Sequence, residues 1–485
     1  MRLYPALGPF LLLAARVAGQ ALDSEIENIL SRPTFADATV GVKIRDLSID
    51  EVIYTLNEDV SLTPASNQKL VTSTVALANL GPDFVYNTTV VATSAIGTDG
   101  TLDGDLWLVG SGDPSLNSSR LADIAKEIVE QTGLKKITGR VYGDGTVFDR
   151  DLLPVGVHPD DEALYYAGQV AGLNCDINVV YVTVAPGDAV GDPAKVTVNG
   201  LALEDEAYVE IRSSVDTVEA GTGQGVSFDR LSGTNTIVVV GSLSLGINPP
   251  AYLTVTIHDP TAYAAYRFAL ALKDAGVDVS RMPTEPKEAP DDATRTQLAS
   301  STSEPLSEIL KHFLKNTDNV YGEVLLKTLG VAADPDTPGS REGGVGAVRA
   351  YLDEEAIDTS GVETVDGSGL SHSNDLTARF LDNLLLHNRR SVPEEEWDVF
   401  FDALAIGGVD GTLSGRFVET PLVGKVRAKT GTLSGASALS GYLSAEGDKE
   451  YIFCILMNGF TDATEARQAQ DDIVTALYNP ETCHR

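Results

Sequence analysis

Between residues 63 and 81 the apolar side chains recur at helical spacing. Leu70, Val71, Val75, Ala78 and Leu80 fall on one face, and Gly81-Pro82 ends the run. Ser66 therefore stands at or near the start of a buried helix. Elsewhere the period shortens. Residues 38–44 and 51–56 are predicted as paired strands around the turn Asp46 to Asp50, and 425–433 alternates as a third strand. Segments 438–443 and 451–457 follow as two more, and a helical stretch from about 465 to 478 closes the chain. From about 91 to 290 Gly, Asp, Val and Thr dominate, with short strands expected at 195–198 and 236–240. The Pro- and acid-rich piece 282–290 marks a return to longer helices near 306–329, 343–354, 376–388 and 395–404. The pattern predicts an α+β protein whose antiparallel sheet is built from both ends of the chain. The expected boundaries are 22–90 and 291–485 for that core, and 91–290 for an inserted, mostly β unit.

Three short motifs punctuate these elements: Ser66-Asn67-Gln68-Lys69, Thr317-Asp318-Asn319 and Lys429-Thr430-Gly431. Each alone has a bland reading, since S-x-x-K is common by chance, Thr-Asp-Asn reads as a helix cap and K-T-G as a turn. Together and in order they form the S-x-x-K, S-D-N and K-T-G signature of serine β-lactamases and penicillin-binding proteins, with threonine in the serine's place. The chemistry needs this spacing. Positions three apart on a helix share a face, so Lys69 can reach the Ser66 hydroxyl. That hydroxyl is a poor nucleophile until a base takes its proton. Lysine serves as the base only when neutral, which burial and a second cation such as Lys429 both favour. A strand carrying Lys429, Thr430, Gly431 and Thr432 can flank a cleft. There Gly431 lets a substrate backbone approach, and Lys429 with the Thr430 and Thr432 hydroxyls can receive a terminal carboxylate. The N–H groups of Ser66 and Thr432 are candidate oxyanion donors. In the polar turn between helical pieces, the Thr317 hydroxyl can relay a proton to the leaving amine. The Asn319 amide can hold Lys69 and the substrate amide.

The chain resembles the D-alanyl-D-alanine carboxypeptidase/endopeptidases among the class C low-molecular-mass penicillin-binding proteins. The resemblance extends to 62–69, 110–116, 365–371, 408–413 and 428–433, and to the long separation of Ser66 from Thr317. It implies a β-lactamase/transpeptidase-like core, an antiparallel sheet between helical groups, interrupted by a large β-rich insert. It also implies a serine DD-peptidase acting on peptidoglycan stem peptides and inhibited covalently by β-lactams, with no cofactor and no metal. Ser66 would be the nucleophile, Lys69 its base, Thr317 and Asn319 the second element and Lys429 the carboxylate-side cation. In some relatives an acidic residue of the insert binds the side-chain amine of the substrate. Asp160 or Asp161, before Tyr165-Tyr166, is the nearest candidate here, and Asp161 is the one taken forward. A tryptophan expected just upstream is absent, with His158 in that region, and an acidic solvated loop is the plain alternative. Two other readings share the motifs: a Ser/Lys esterase or amidase on a non-peptidoglycan substrate, and an inactive wall-peptide binding protein.

Composition narrows the setting. Over 485 residues, a formal charge of −35 repels nucleic acid and anionic membranes, so neither is an expected partner. Residues 1–21 carry Arg2, a short apolar run at 9–15 and small residues at 17–21, the pattern of a cleaved secretory signal, and no later run is long enough to span a bilayer. A secreted or periplasmic protein without stable membrane insertion is expected. Cys175, Cys454 and Cys483 are too few and too scattered for a disulfide scaffold or zinc site, and Cys454 reads as a core thiol. Asn87 and Asn117 fit the glycosylation sequon. No metal-ligand histidine spacing, G-x-S-x-G elbow, P-loop or dinucleotide fingerprint occurs.

Overall fold

A computed structural model describes residues 22–202, 208–283, 285–290 and 294–478. The signal-like segment 1–21 and Cys483 lie outside the described residues. The chain divides into two compact units. The first takes in the chain up to Asp83, Leu306–Asp318 and everything from Val345 onward; the second takes in Phe84–Pro305 and Asn319–Gly344.

The first unit is organised by one six-stranded sheet in which every pairing is antiparallel. Its order is Ala405–Ile406, Val426–Leu433, Ala436–Ser444, Glu450–Asn458, Thr39–Asp46, Glu51–Leu56. The expected union of the two chain ends is realised by Thr39–Asp46, which pairs with Glu450–Asn458 from Thr39 opposite Asn458 to Asp46 opposite Tyr451. Central strands are buried along nearly their whole length, because helices cover both faces. On one face Leu22, Ile26 and Ile29 of the helix 22–30, and Ala466, Ala469 and Ile473 of Ala463–Tyr478, close over Val40, Val42, Ile44, Phe453, Ile455 and Met457. Their spacing of three and four is what a helix needs to present a single apolar stripe to a sheet. Alternate residues of the strand Thr39–Asp46 point the other way, toward the helix Ala378–Arg390, where buried Asp382 receives the Arg45 guanidinium at 2.7 Å. Cys454 is buried in a central strand.

The second unit contains four small sheets among the described residues. One is closed by Thr296–Thr302, which pairs antiparallel with Asn87–Ala92. Two helices, Ser118–Thr132 and Pro260–Asp274, bury Leu121, Ile124, Ala125, Ile128, Phe268 and Leu272 in its core. Strands at Lys195–Val198 and Thr236–Ser244 include both segments expected there. Asn117 has a structural task, since its side chain caps Ser118–Thr132 by accepting from the Arg120 N–H at 3.0 Å. No helix of the described residues is long and apolar enough to cross a membrane.

Candidate active site

The site of the first unit is assembled where the strand Val426–Leu433 runs past the start of the helix Gln68–Leu80. A short 3₁₀ turn, Ala65–Asn67, precedes that helix, so Ser66 stands one turn ahead of the α-helical residues. Ala65 has a φ of +48°, a left-handed conformation that residues with a side chain seldom adopt. The Asn67 amide fastens the turn to the strand by donating to the Lys429 carbonyl at 2.9 Å. At Gly431 any side chain is excluded: a Cβ would stand 2.7 Å from the Pro64 carbonyl oxygen and 3.1 Å from the Ser66 nitrogen. The glycine of the third motif thus lets the strand lie directly against the nucleophile turn.

Four of the expected polar groups converge. Lys69 Nζ donates to Ser66 Oγ at 3.1 Å, the three-residue spacing acting as expected. Lys429 Nζ donates to Thr317 Oγ1 at 2.9 Å and to the Thr430 carbonyl at 2.8 Å. Both lysines are fully buried, whereas Ser66 and Thr317 are only half-buried, so hydroxyls open outward over amines sealed beneath them. Burial first, and the Lys69 ammonium second, hold Lys429 well below the usual lysine range. Thr430 shares a hydrogen bond with the Thr412 hydroxyl at 2.8 Å, and Thr432 is exposed on the same strand. Thr317 itself has a φ of +56°, unusual for a β-branched residue, in the turn that follows the helix Leu306–Asn316.

Asn319 and Asp161 belong to the second unit. Asn319 opens the helix Asn319–Ala333, and its amide donates to the Tyr166 carbonyl at 2.9 Å. Asp161 ends the short turn Pro159–Asp161 and is half-buried. The neighbouring Tyr166 hydroxyl is raised above the usual tyrosine range, by burial and then by Asp161.

Sequence reading alone missed three contributors. The Ser368 carbonyl accepts from Lys69 Nζ at 2.5 Å. Asp366, buried in the same loop, accepts the N–H groups of Gly369 and Ser371, each at 2.7 Å, and the Asn374 amide at 2.9 Å. Phe313, from Leu306–Asn316, presents its ring 5.7 Å from Lys69 Nζ. An aspartate inside the Gly- and Ser-rich stretch 365–371, flanked by Val365 and Leu370, was the available signal for the first two. Phe313 carries none, since it looks like any apolar residue on a helix.

This arrangement is chemically specific. A hydroxyl bonded to one buried amine, with a second buried amine held on a hydroxyl and a carbonyl nearby, suits acyl transfer through serine. Comparisons with known proteins agree. Residues 22–479 match the D-Ala-D-Ala carboxypeptidase 3 (S13) family. Over 455 residues the chain is 36% identical to the D-alanyl-D-alanine carboxypeptidase of Actinomadura sp. (strain R39), spanning 90% of this chain and 81% of that protein. It is 25% identical over 449 residues to the D-alanyl-D-alanine carboxypeptidase DacB of Haemophilus influenzae, covering 89% and 90% of the two chains. The crystal structure of penicillin binding protein 4 (dacB) from Haemophilus influenzae superposes with a TM-score of 0.79, at 25% identity, over 94% of this chain and 98% of that one. With its α+β architecture, the chain belongs to the D-Ala-D-Ala carboxypeptidase 3 (S13) family and is a serine-type D-Ala-D-Ala carboxypeptidase.

Proposed function

We propose that Ser66 is the nucleophile of an exported DD-carboxypeptidase that also cleaves peptidoglycan cross-links and is acylated by penicillins. The observation that carries this reading is the 3.1 Å hydrogen bond between Lys69 Nζ and Ser66 Oγ. Neutral Lys69 takes the Ser66 proton as Oγ attacks the carbonyl of the penultimate D-alanine. The oxyanion is received by the N–H groups of Ser66 and Thr432. Thr317 passes a proton to the departing amine of the terminal D-alanine, and water then releases the acyl group. Lys429, Thr430 and Thr432 receive the substrate carboxylate, with Gly431 keeping the strand close. Asn319 and Asp161 keep the roles that the family likeness implies, toward the substrate amide and the side-chain amine of the stem peptide.

Penicillin sensitivity is supported by the name of the Haemophilus influenzae relative, a penicillin binding protein. Export is supported by the charge and apolar pattern of residues 1–21. A labelled penicillin is expected to modify Ser66, as located by peptide mass spectrometry. Ser66→Ala is expected to abolish labelling and to lower D-alanine release by about 10⁴-fold or more. A folded protein left unlabelled at Ser66 would overturn the assignment. Endopeptidase action is checked with a cross-linked dimeric stem peptide, and export by N-terminal sequencing of protein recovered outside the cytoplasm.

A further inference from the structure

The loop from Thr364 to Asn374 is built around one carboxylate that the mechanism above does not use. Asp366 is fully buried, and its three hydrogen-bond partners among the described residues are all donors: Gly369 N–H and Asn374 Nδ2 on one oxygen, Ser371 N–H on the other. A carboxyl surrounded only by donors is bound as the ionised, acceptor-only form. Burial raises it above the ordinary carboxylate range, while the Ser371, Gly369 and Asn374 hydrogen bonds and the Lys69 charge act the other way.

The same loop is pressed onto the reacting turn. Thr72 Oγ1 donates to the Gly367 carbonyl at 2.7 Å and Gln68 Nε2 to Thr364 Oγ1 at 3.2 Å, so the loop is tied to the first two turns of the nucleophile helix. Gly369 has a φ of +77°, and a Cβ there would lie 2.0 Å from the Ala65 carbonyl oxygen. The loop therefore backs the left-handed Ala65 on which the direction of Ser66 depends. Its Ser368 carbonyl grips Lys69 Nζ at 2.5 Å. Among the groups that face Lys69 are Ser66, the Ser368 carbonyl, the Phe313 ring and two ionisable groups, Asp366 and Lys429.

We propose that Asp366 is a positioning residue for acylation: it holds the Ser368 carbonyl on Lys69 and supplies the buried negative charge that stabilises the ammonium formed when Lys69 takes the Ser66 proton. This rests on the assignment of Ser66 and Lys69 above. The proton moves from Ser66 Oγ to Lys69 Nζ as the Oγ–carbonyl bond forms, and Asp366 neither gains nor loses one. Two consequences follow from the sign of the charge. Without it the Lys69 ammonium is less favourable, so the free amine persists to lower pH, and the amine is also a weaker proton acceptor.

The test is the pH profile of penicillin acylation in wild type and in Asp366→Asn, with folding checked by circular dichroism. The acid limb is expected to move to lower pH by about one unit or more. The plateau rate is expected to fall by about tenfold or more. An unmoved limb together with a rate within about twofold of wild type would overturn the proposal, as would a slower rate on an unmoved limb. Absence of labelling in wild type would instead overturn the assignment of Ser66, so the two failures are distinct. If Asp366→Asn does not fold, Asn374→Ala strips one donor from the carboxylate while keeping the charge. Its plateau rate should then fall by about tenfold, and a rate equal to wild type would sink the proposal.

Discussion

Both units of the molecule bury lysines, and Lys327 of the second and Lys429 of the first are treated differently. In the second unit Lys327 is 4% exposed and donates to Asp149 at 2.5 Å and to the Asp151 carbonyl at 2.7 Å, an ion pair with its charge answered in place. In the first unit Lys429 is sealed from water, bonded to a threonine hydroxyl and a carbonyl, with no carboxylate within ion-pair distance among the described residues. Burying an ammonium among neutral oxygens is costly, and the amine responds by releasing its proton more readily. The paired lysine fastens structure. The unanswered one keeps a reactive state available, at the expense of folding stability.

Substitution of Lys429 should separate the two cases most widely. Lys429→Met is expected to lower acylation by about 10³-fold. It should also raise unfolding free energy at neutral pH by roughly 1–3 kcal/mol, since an apolar side chain of similar size suits the site better than an ammonium. The folded-state proton affinity of Lys429 lies below its ordinary 10.5, so between these values the unfolded chain binds more protons and wild-type stability rises with pH. The advantage of the methionine variant should therefore shrink as denaturant melts are repeated from pH 7 toward 10. A variant less stable than wild type would break the contrast.

Lys327→Met should act in the opposite sense. It strands Asp149, whose side chain is 30% exposed, and is expected to cost roughly 1–3 kcal/mol, screened below the cost of a fully buried pair. Its kcat per folded molecule should remain within about twofold of wild type, measured by D-alanine release. The smallest effect is expected at the partner of Lys429. Thr317→Ser keeps the hydroxyl, removes a methyl from a residue with φ of +56° and should change acylation by less than about threefold. A larger loss would mean that the methyl orients the hydroxyl.

Much of this site was legible before any coordinates. The three-residue spacing of Ser66 and Lys69 dictates a shared helical face, and the alternation around Lys429 dictates a strand. The turn between Asp46 and Asp50 dictates the hairpin of 38–44 with 51–56, and its union with the C-terminal strands in one sheet is as expected. What stayed hidden has physical causes. The Ser368 carbonyl is backbone and carries no side-chain signature. The positive φ of Ala65 and Thr317 contradicts their residue types, so no propensity scale announces it. The helical pieces expected at 306–314 and 320–329 on either side of the Thr317 turn extend further than expected, to Leu306–Asn316 and Asn319–Ala333. Cys175 and Cys454 are both buried thiols, and they lie in different units.

The hairpin Thr39–Leu56 is made early on the ribosome, yet its inner strand waits for Glu450–Asn458. Translation at ~5–20 residues per second separates the two by roughly 20–80 seconds. Throughout that interval an edge rich in valine and isoleucine has no neighbour, an invitation to wrong partners. The nascent polypeptide is therefore inert as a hydrolase until its last strands emerge, and truncations near the carboxyl end should yield aggregates rather than weak enzymes.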